Sequence, residues 1–151
     1  MSSAGMTPEQ IKAAIRHEYE EYNKRNLSTL DETYSPNVVV HNLASGTDNK
    51  GLEKVKQAQY ELLARFPDMH RTIEDITVEG DKAAYRFTST GTHKGRLGPE
   101  AGNLAPTGRK VTTTTFVIRR YEDGKMVEAW NISNRLSFYQ QLGVTPTPDM
   151  K

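Results

Sequence analysis

The chain has 151 residues, and its 20 lysines and arginines stand against 19 aspartates and glutamates, a formal net charge of +1. That length fits one domain burying roughly 70% of its unfolded surface, enough for a core and a modest internal pocket. Near-neutrality argues against nucleic acid or acidic lipid as partner, and the absence of cysteine excludes disulfides, thiolate nucleophiles, zinc ribbons and iron–sulfur clusters.

Thr7-Pro8-Glu9-Gln10 opens the first helix, with Thr as N-cap, proline at the first helical position and a capping-box Gln. Ile11, Ala14, Ile15, Tyr19 and Tyr22 follow at helical spacing, which predicts a helix over about residues 8–25. Ser28 and Asp31 repeat the cap pattern for a short helix carrying Leu27, Leu30 and Tyr34, ended by Pro36. Val38-Val39-Val40-His41 is β-branched and predicts a strand, and Ser45 to Asn49 reads as a turn. Leu52, Val55, Gln59, Leu62, Leu63 and Phe66 mark a second long helix that stops at Pro67. Beyond it the pattern is sheet: strands 70–79 and 82–93 meet at Glu79-Gly80-Asp81, and strands 109–121 and 125–134 meet at Asp123-Gly124, the stronger hairpin signal. Between the hairpins, Gly95 to Gly108 holds four glycines and two prolines and predicts a long ordered loop of the kind that covers a pocket. Leu136 to Leu142 predicts a last helix, ended by Gly143.

Helices first and antiparallel hairpins afterwards make an α+β domain, with the helices packed on one face of a strongly curved sheet. One domain over 1–151 is expected, with an ordered body at about 7–143 and a Pro-rich tail at 144–151. No stretch approaches the roughly 20 apolar residues of a membrane span. Met1 to Met6 lack a basic or apolar leader, so a soluble cytoplasmic protein without membrane partner is expected.

Among site classes, His17, His41, His70 and His93 show no metal-binding spacing, so no metal is expected. No Gly-x-Ser-x-Gly elbow exists, and the glycines of 91–108 join strand to strand rather than opening a helix on a phosphate. A pocket with a few polar groups in an aromatic wall survives, its ligand a small molecule. Period-two alternation puts Trp130, Ile132 and Asn134 on one face of the last strand, with Glu128 in register, and that face reads as inward. On strand 82–93, Tyr85, Phe87, Ser89 and His93 alternate with Arg86, Thr88, Thr90 and Thr92, and either set could be the concave one. Asn134 equally suits an N-cap, His93 a strand end that satisfies backbone groups, Thr112 to Thr115 solvated β-formers and Arg119-Arg120 a surface pair.

Phe66-Pro67-Asp68-Met69-His70, Glu79-Gly80-Asp81, Gly91-Thr92-His93-Lys94-Gly95, Pro106-Thr107-Gly108, Asp123-Gly124-Lys125-Met126-Val127-Glu128 with Trp130, and Gln140-Gln141-Leu142-Gly143 stand in one order. In these strings the chain resembles the SnoaL-like polyketide cyclases, from its first helix to Gly143. The resemblance implies a nuclear-transport-factor-two-like cone, a curved mixed sheet wrapped on helices, with a deep pocket at the open end and dimerisation through the sheet. It also implies intramolecular aldol closure without metal or organic cofactor, with a carboxylic acid four residues after the tryptophan as acid/base. Asn134 occupies that position, and an amide neither takes nor gives the proton.

Two expectations follow. In one, a cofactor-independent cyclase or isomerase moves protons on a small apolar carbonyl-bearing metabolite. His93 and His41 are then the candidate proton carriers, Asn134 and Arg86 donate hydrogen bonds to an oxyanion, and Trp130, Tyr85, Phe87, Phe116 and Ile132 form the wall. In the other, a non-catalytic small-molecule-binding or dimeric scaffold has lost the family acid. Fold alone does not choose between them.

Overall fold

The computed structural model describes residues 5–144, so the Pro-rich tail from residue 145 lies outside the described residues. Helix α1, Pro8–Asn23, starts with the expected capping box: the Gln10 amide donates to Thr7 Oγ1 (3.1 Å) and the Thr7 amide to Gln10 Oε1 (2.9 Å). Its buried stripe is Ile11, Ile15, Glu18, Tyr19 and Tyr22, an apolar face with a carboxylate set into it. Helix α2 is the single turn Thr29–Thr33, and α3, Leu52–Arg65, ends where Pro67 forbids continuation.

The strands are β1 (Tyr34–Asn42), β2 (Thr47–Lys50), β3 (His70–Glu79), β4 (Lys82–Thr92), β5 (Lys110–Glu122) and β6 (Lys125–Ser133), and Arg135–Gln141 forms α4. They make one sheet in the order β2-β1-β6-β5-β4-β3. The β1–β6 junction is parallel and the other pairs antiparallel, which gives the expected mixed sheet of an α+β cone. Asp123 (φ 51°) and Gly124 (φ 77°) both adopt the positive φ that a tight β5–β6 hairpin requires.

Two expectations change. The first strand begins at Tyr34 rather than Val38, with Pro36 inside it where the register to β6 is broken between Tyr34 and Val39, so a missing N–H costs no ladder bond. The expected turn at Ser45 to Asn49 gives way from Thr47 to a strand, which pairs with the free edge of β1 from Val39↔Lys50 to Asn42↔Thr47. Polar side chains hid it, as an edge strand can be short and hydrophilic.

α1 packs across β3 and α3 across β1, enclosing a core that includes Ile11, Ile15, Val38, Phe66 and Met126. The Gly95 to Gly108 loop is ordered by its own bonds, Leu97 N–H to Leu104 O (3.0 Å) and Gly108 N–H to His93 O (2.9 Å). At its start the Lys94 and Gly95 amides both donate to Arg65 O, terminating α3. A Cβ at Gly95 would stand 2.8 Å from Ala64 O, so only glycine fits there.

Candidate active site

Inward-facing residues of the sheet, together with α1 and α3, enclose a cavity of about 410 Å³, a size suited to a small metabolite. Burial settles the phase of β4: Ala83, Tyr85, Phe87 and Ser89 point inward, whereas Arg86 points out. On β6 the extra residue Val127, opposed by nothing between Tyr121↔Met126 and Arg120↔Glu128, switches the alternation, so Met126, Ala129, Asn131 and Ser133 face the cavity. Thr115, Val117 and Arg119 of β5 face it beside them.

The cavity's most buried polar group is an ion pair that the sequence disguised. Arg119 Nη1 donates to Glu18 Oε1 and Nη2 to Glu18 Oε2, both at 2.9 Å, a bidentate fork. Tyr34 hydroxyl donates to Glu18 Oε2 (2.8 Å) and accepts from Arg119 Nη2 (2.9 Å). Burial works against the charged guanidinium, but Glu18 and the surrounding tyrosines outweigh it and hold Arg119 well above the ordinary arginine value. Alongside, the Tyr19 and Tyr85 hydroxyls share one hydrogen bond at 2.9 Å. Burial raises the pKa of Tyr19, and raises Tyr34 and Tyr85 well above the ordinary phenol value, so all three stay protonated donors at neutral pH.

Of the residues singled out in the sequence, Tyr85 and Phe87 line this cavity. Asn134 does not: its side chain accepts from the Ser137 amide (2.9 Å) as the N-cap of α4. His93 is fully buried beneath the glycine-rich loop, stacked on Phe66 at 5.6 Å. Its Nδ1 accepts from the Thr107 amide (3.1 Å), which ties the loop to the sheet. His41, Arg86, Trp130, Phe116 and Ile132 all lie on the outer face of the sheet. Trp130 and Ile132, expected inward, are corrected by the Val127 bulge. Phe116 follows from its pairing opposite Arg86 and Ile132.

Glu18 and Arg119 were missed, and Arg119, expected at the surface with Arg120, is buried between Val117 and Tyr121. Thr115, expected to be solvated, reaches the cavity wall. Their signals were present: Glu18 sits seven residues after Ile11 and four before Tyr22, on the apolar stripe of α1.

His41 is held outside the cavity by two carboxylates, Nδ1 to Asp48 (2.9 Å) and Nε2 to Glu128 (2.7 Å), and stacks on Trp130. The bonds to Glu128 and then Asp48 raise its pKa above 6.5, and the bond from His41, followed by Arg120 against the effect of burial, lowers Glu128 below 4.5. A raised His stabilises fully below its unfolded value and is lost as pH climbs through the folded one. A depressed Glu stabilises above its unfolded value and is lost as pH falls. The clamp is therefore complete between about pH 4.5 and 6.5. His41→Gln should cost roughly 0.5–1 kcal/mol at pH 6 and markedly less at pH 8.5, read from urea midpoints. An equal cost at both values would show that no imidazolium is involved.

The chain belongs to the SnoaL-like polyketide cyclase family, whose profile matches residues 13–142. IdmH of Streptomyces antibioticus, described as a candidate polyketide cyclase, is 33% identical, with a TM-score of 0.76 over 89% of this chain and 99% of IdmH. AclR of Streptomyces galilaeus, described as a candidate hydroxylase, is 26% identical over 93% of this chain and 89% of its own, TM-score 0.80. TsrD of Streptomyces laurentii is 25% identical over 91% and 98%, TM-score 0.79. No curated protein matches the chain. Among the described residues no helix is long and apolar enough to cross a membrane.

Proposed function

We propose that the chain is a cyclase-type enzyme that moves protons on a small, largely apolar, carbonyl-bearing metabolite held in the cone cavity. The observation that carries this reading is the buried polar cluster on an otherwise aromatic wall, with Glu18 facing the same cavity as the Tyr19–Tyr85 hydroxyl pair. Abstraction of a proton beside a carbonyl needs a base near the carbon and a donor at the oxygen. Glu18 supplies the carboxylate. Tyr85, protonated by virtue of its burial, supplies the hydrogen-bond donor, and the shared bond with Tyr19 orients its hydroxyl.

Acetophenone, small enough for the cavity, tests the step directly through exchange of its methyl hydrogens in D2O followed by NMR. Wild-type protein should accelerate exchange, and Tyr85→Phe should reduce the acceleration about 100-fold. Binding without acceleration would leave the cavity a non-catalytic binding site and sink the enzyme reading.

The outer face supports a second proposal, a homodimer packed sheet to sheet. Leu43, Phe116, Ile118 and Ile132 are each about half exposed there around Trp130, an apolar patch that a monomer would leave in water.

A further inference from the structure

Three arginines line the cavity, and two of them meet a carboxylate: Arg119 meets Glu18, and Arg65 meets Glu100 at 3.9 Å. Among the described residues Arg71 meets none, and its Nε is buried without a hydrogen-bond partner. The guanidinium lies 4.1 Å from the ring centre of Tyr22, 5.1 Å from Phe87 and 5.8 Å from Tyr19. Stacking of this kind occupies the planar faces of the cation and leaves its Nε–H edge free to donate.

Its placement is built rather than incidental. Asn23, at the end of α1, accepts from the Arg71 amide and donates to the Arg71 carbonyl, both at 2.9 Å. The edge strand is thereby sewn to the helix at the very residue whose side chain enters the cavity. A neutral donor stands next to it: the Tyr19–Tyr85 pair has two hydroxyl hydrogens and spends one on its shared bond.

We propose that Arg71 is the oxyanion-recognition residue of the cavity and that the ligand presents to it the enolate oxygen of an ionised 1,3-dicarbonyl, with the second oxygen met by the free tyrosine hydrogen. This rests on the cavity reading above and adds to it the residue that receives the oxyanion. A delocalised enolate matches one cation flanked by aromatic rings. A carboxylate concentrates its charge, and desolvating it against a single guanidinium on an apolar wall costs more.

The probe is 1-phenylbutane-1,3-dione, whose enolate absorbs apart from its neutral form. Bound to the wild-type protein, its apparent pKa should fall by about one unit, a tenfold preference for the enolate. Arg71→Gln, which leaves the main-chain clamp to Asn23 intact, should abolish the shift, and Arg71→Lys should keep part of it. Butyrophenone, which does not ionise in this range, should bind wild type and Arg71→Gln alike. Butyrophenone binding with no shift for the dione, or an unchanged shift in Arg71→Gln, would overturn the role of Arg71 alone. Failure of both probes to bind would overturn the cavity reading beneath it. Arg71-dependent binding of benzoate with no preference for the enolate would make the site a carboxylate receptor and overturn the proposal.

Discussion

Arg119→Met should lower the unfolding free energy by about 3–5 kcal/mol, because it leaves the Glu18 carboxylate buried and without its counter-charge. With side chains only 5% and 9% exposed, water does not replace the two lost charge-assisted bonds in full. Tyr34 alone remains to donate to Glu18, and one neutral hydroxyl does not match a bidentate guanidinium. Methionine fills most of the vacated volume, so the loss reports charge rather than a cavity. The double variant Glu18→Leu, Arg119→Met should recover most of it, since removing both charges also removes both desolvation penalties. Urea midpoints at constant m-value measure both steps. A single variant within about 1 kcal/mol of wild type would mean that water reaches Glu18 and that the pair is not a sealed wall of the cavity.

The same pair shows what the sequence could and could not reveal. Periodicity located α1, α3 and both hairpins, because each buries one face and the alternation of apolar residues records which. Glu18 falls on the same stripe but was missed, since a carboxylate there announces itself only when its partner is known, and Arg119 lies 101 residues away. The last strand misled for a local reason. Trp130 and Ile132 are large apolar residues of β6, and a rule that sends such residues inward holds only where the alternation runs unbroken. Val127 bulges, the phase changes, and the modest Asn131 and Ser133 take the inner positions. Asn134 was legible as a cap from its place before α4, and His93 as a strand-end anchor. The expectation of chemistry at Asn134 came from its position in a family pattern, and that at His93 from an imidazole that titrates near neutrality, rather than from their surroundings. Arg71 gave no sequence signal, because what distinguishes it is the absence of a partner, a property of three-dimensional packing.

Phe116→Glu should turn the proposed dimer into a monomer, weakening association about 30- to 1,000-fold, the range for loss of a central apolar anchor worth about 2–4 kcal/mol. Phe116 is 56% exposed and pairs across the hairpin with Ile132, and the next outward pair is Ile118 with Trp130. Four large side chains thus form one contiguous block over two neighbouring strands, at the centre of the sheet rather than at its edge. A carboxylate placed there is harmless in a monomer, where it is solvated, and costly in a dimer, where it would be buried without a cation. The substitution should therefore leave the thermal stability of the isolated chain nearly unchanged while altering its sedimentation. Tyr60→Glu provides the contrast: Tyr60 is 54% exposed on α3, well removed from the outer face, and its variant should sediment as wild type does. A wild-type chain that stays monomeric at high micromolar concentration would remove the second copy. The Phe116 block would then need another partner of the same apolar character, since an exposed patch of aromatic and branched side chains at a sheet centre invites association.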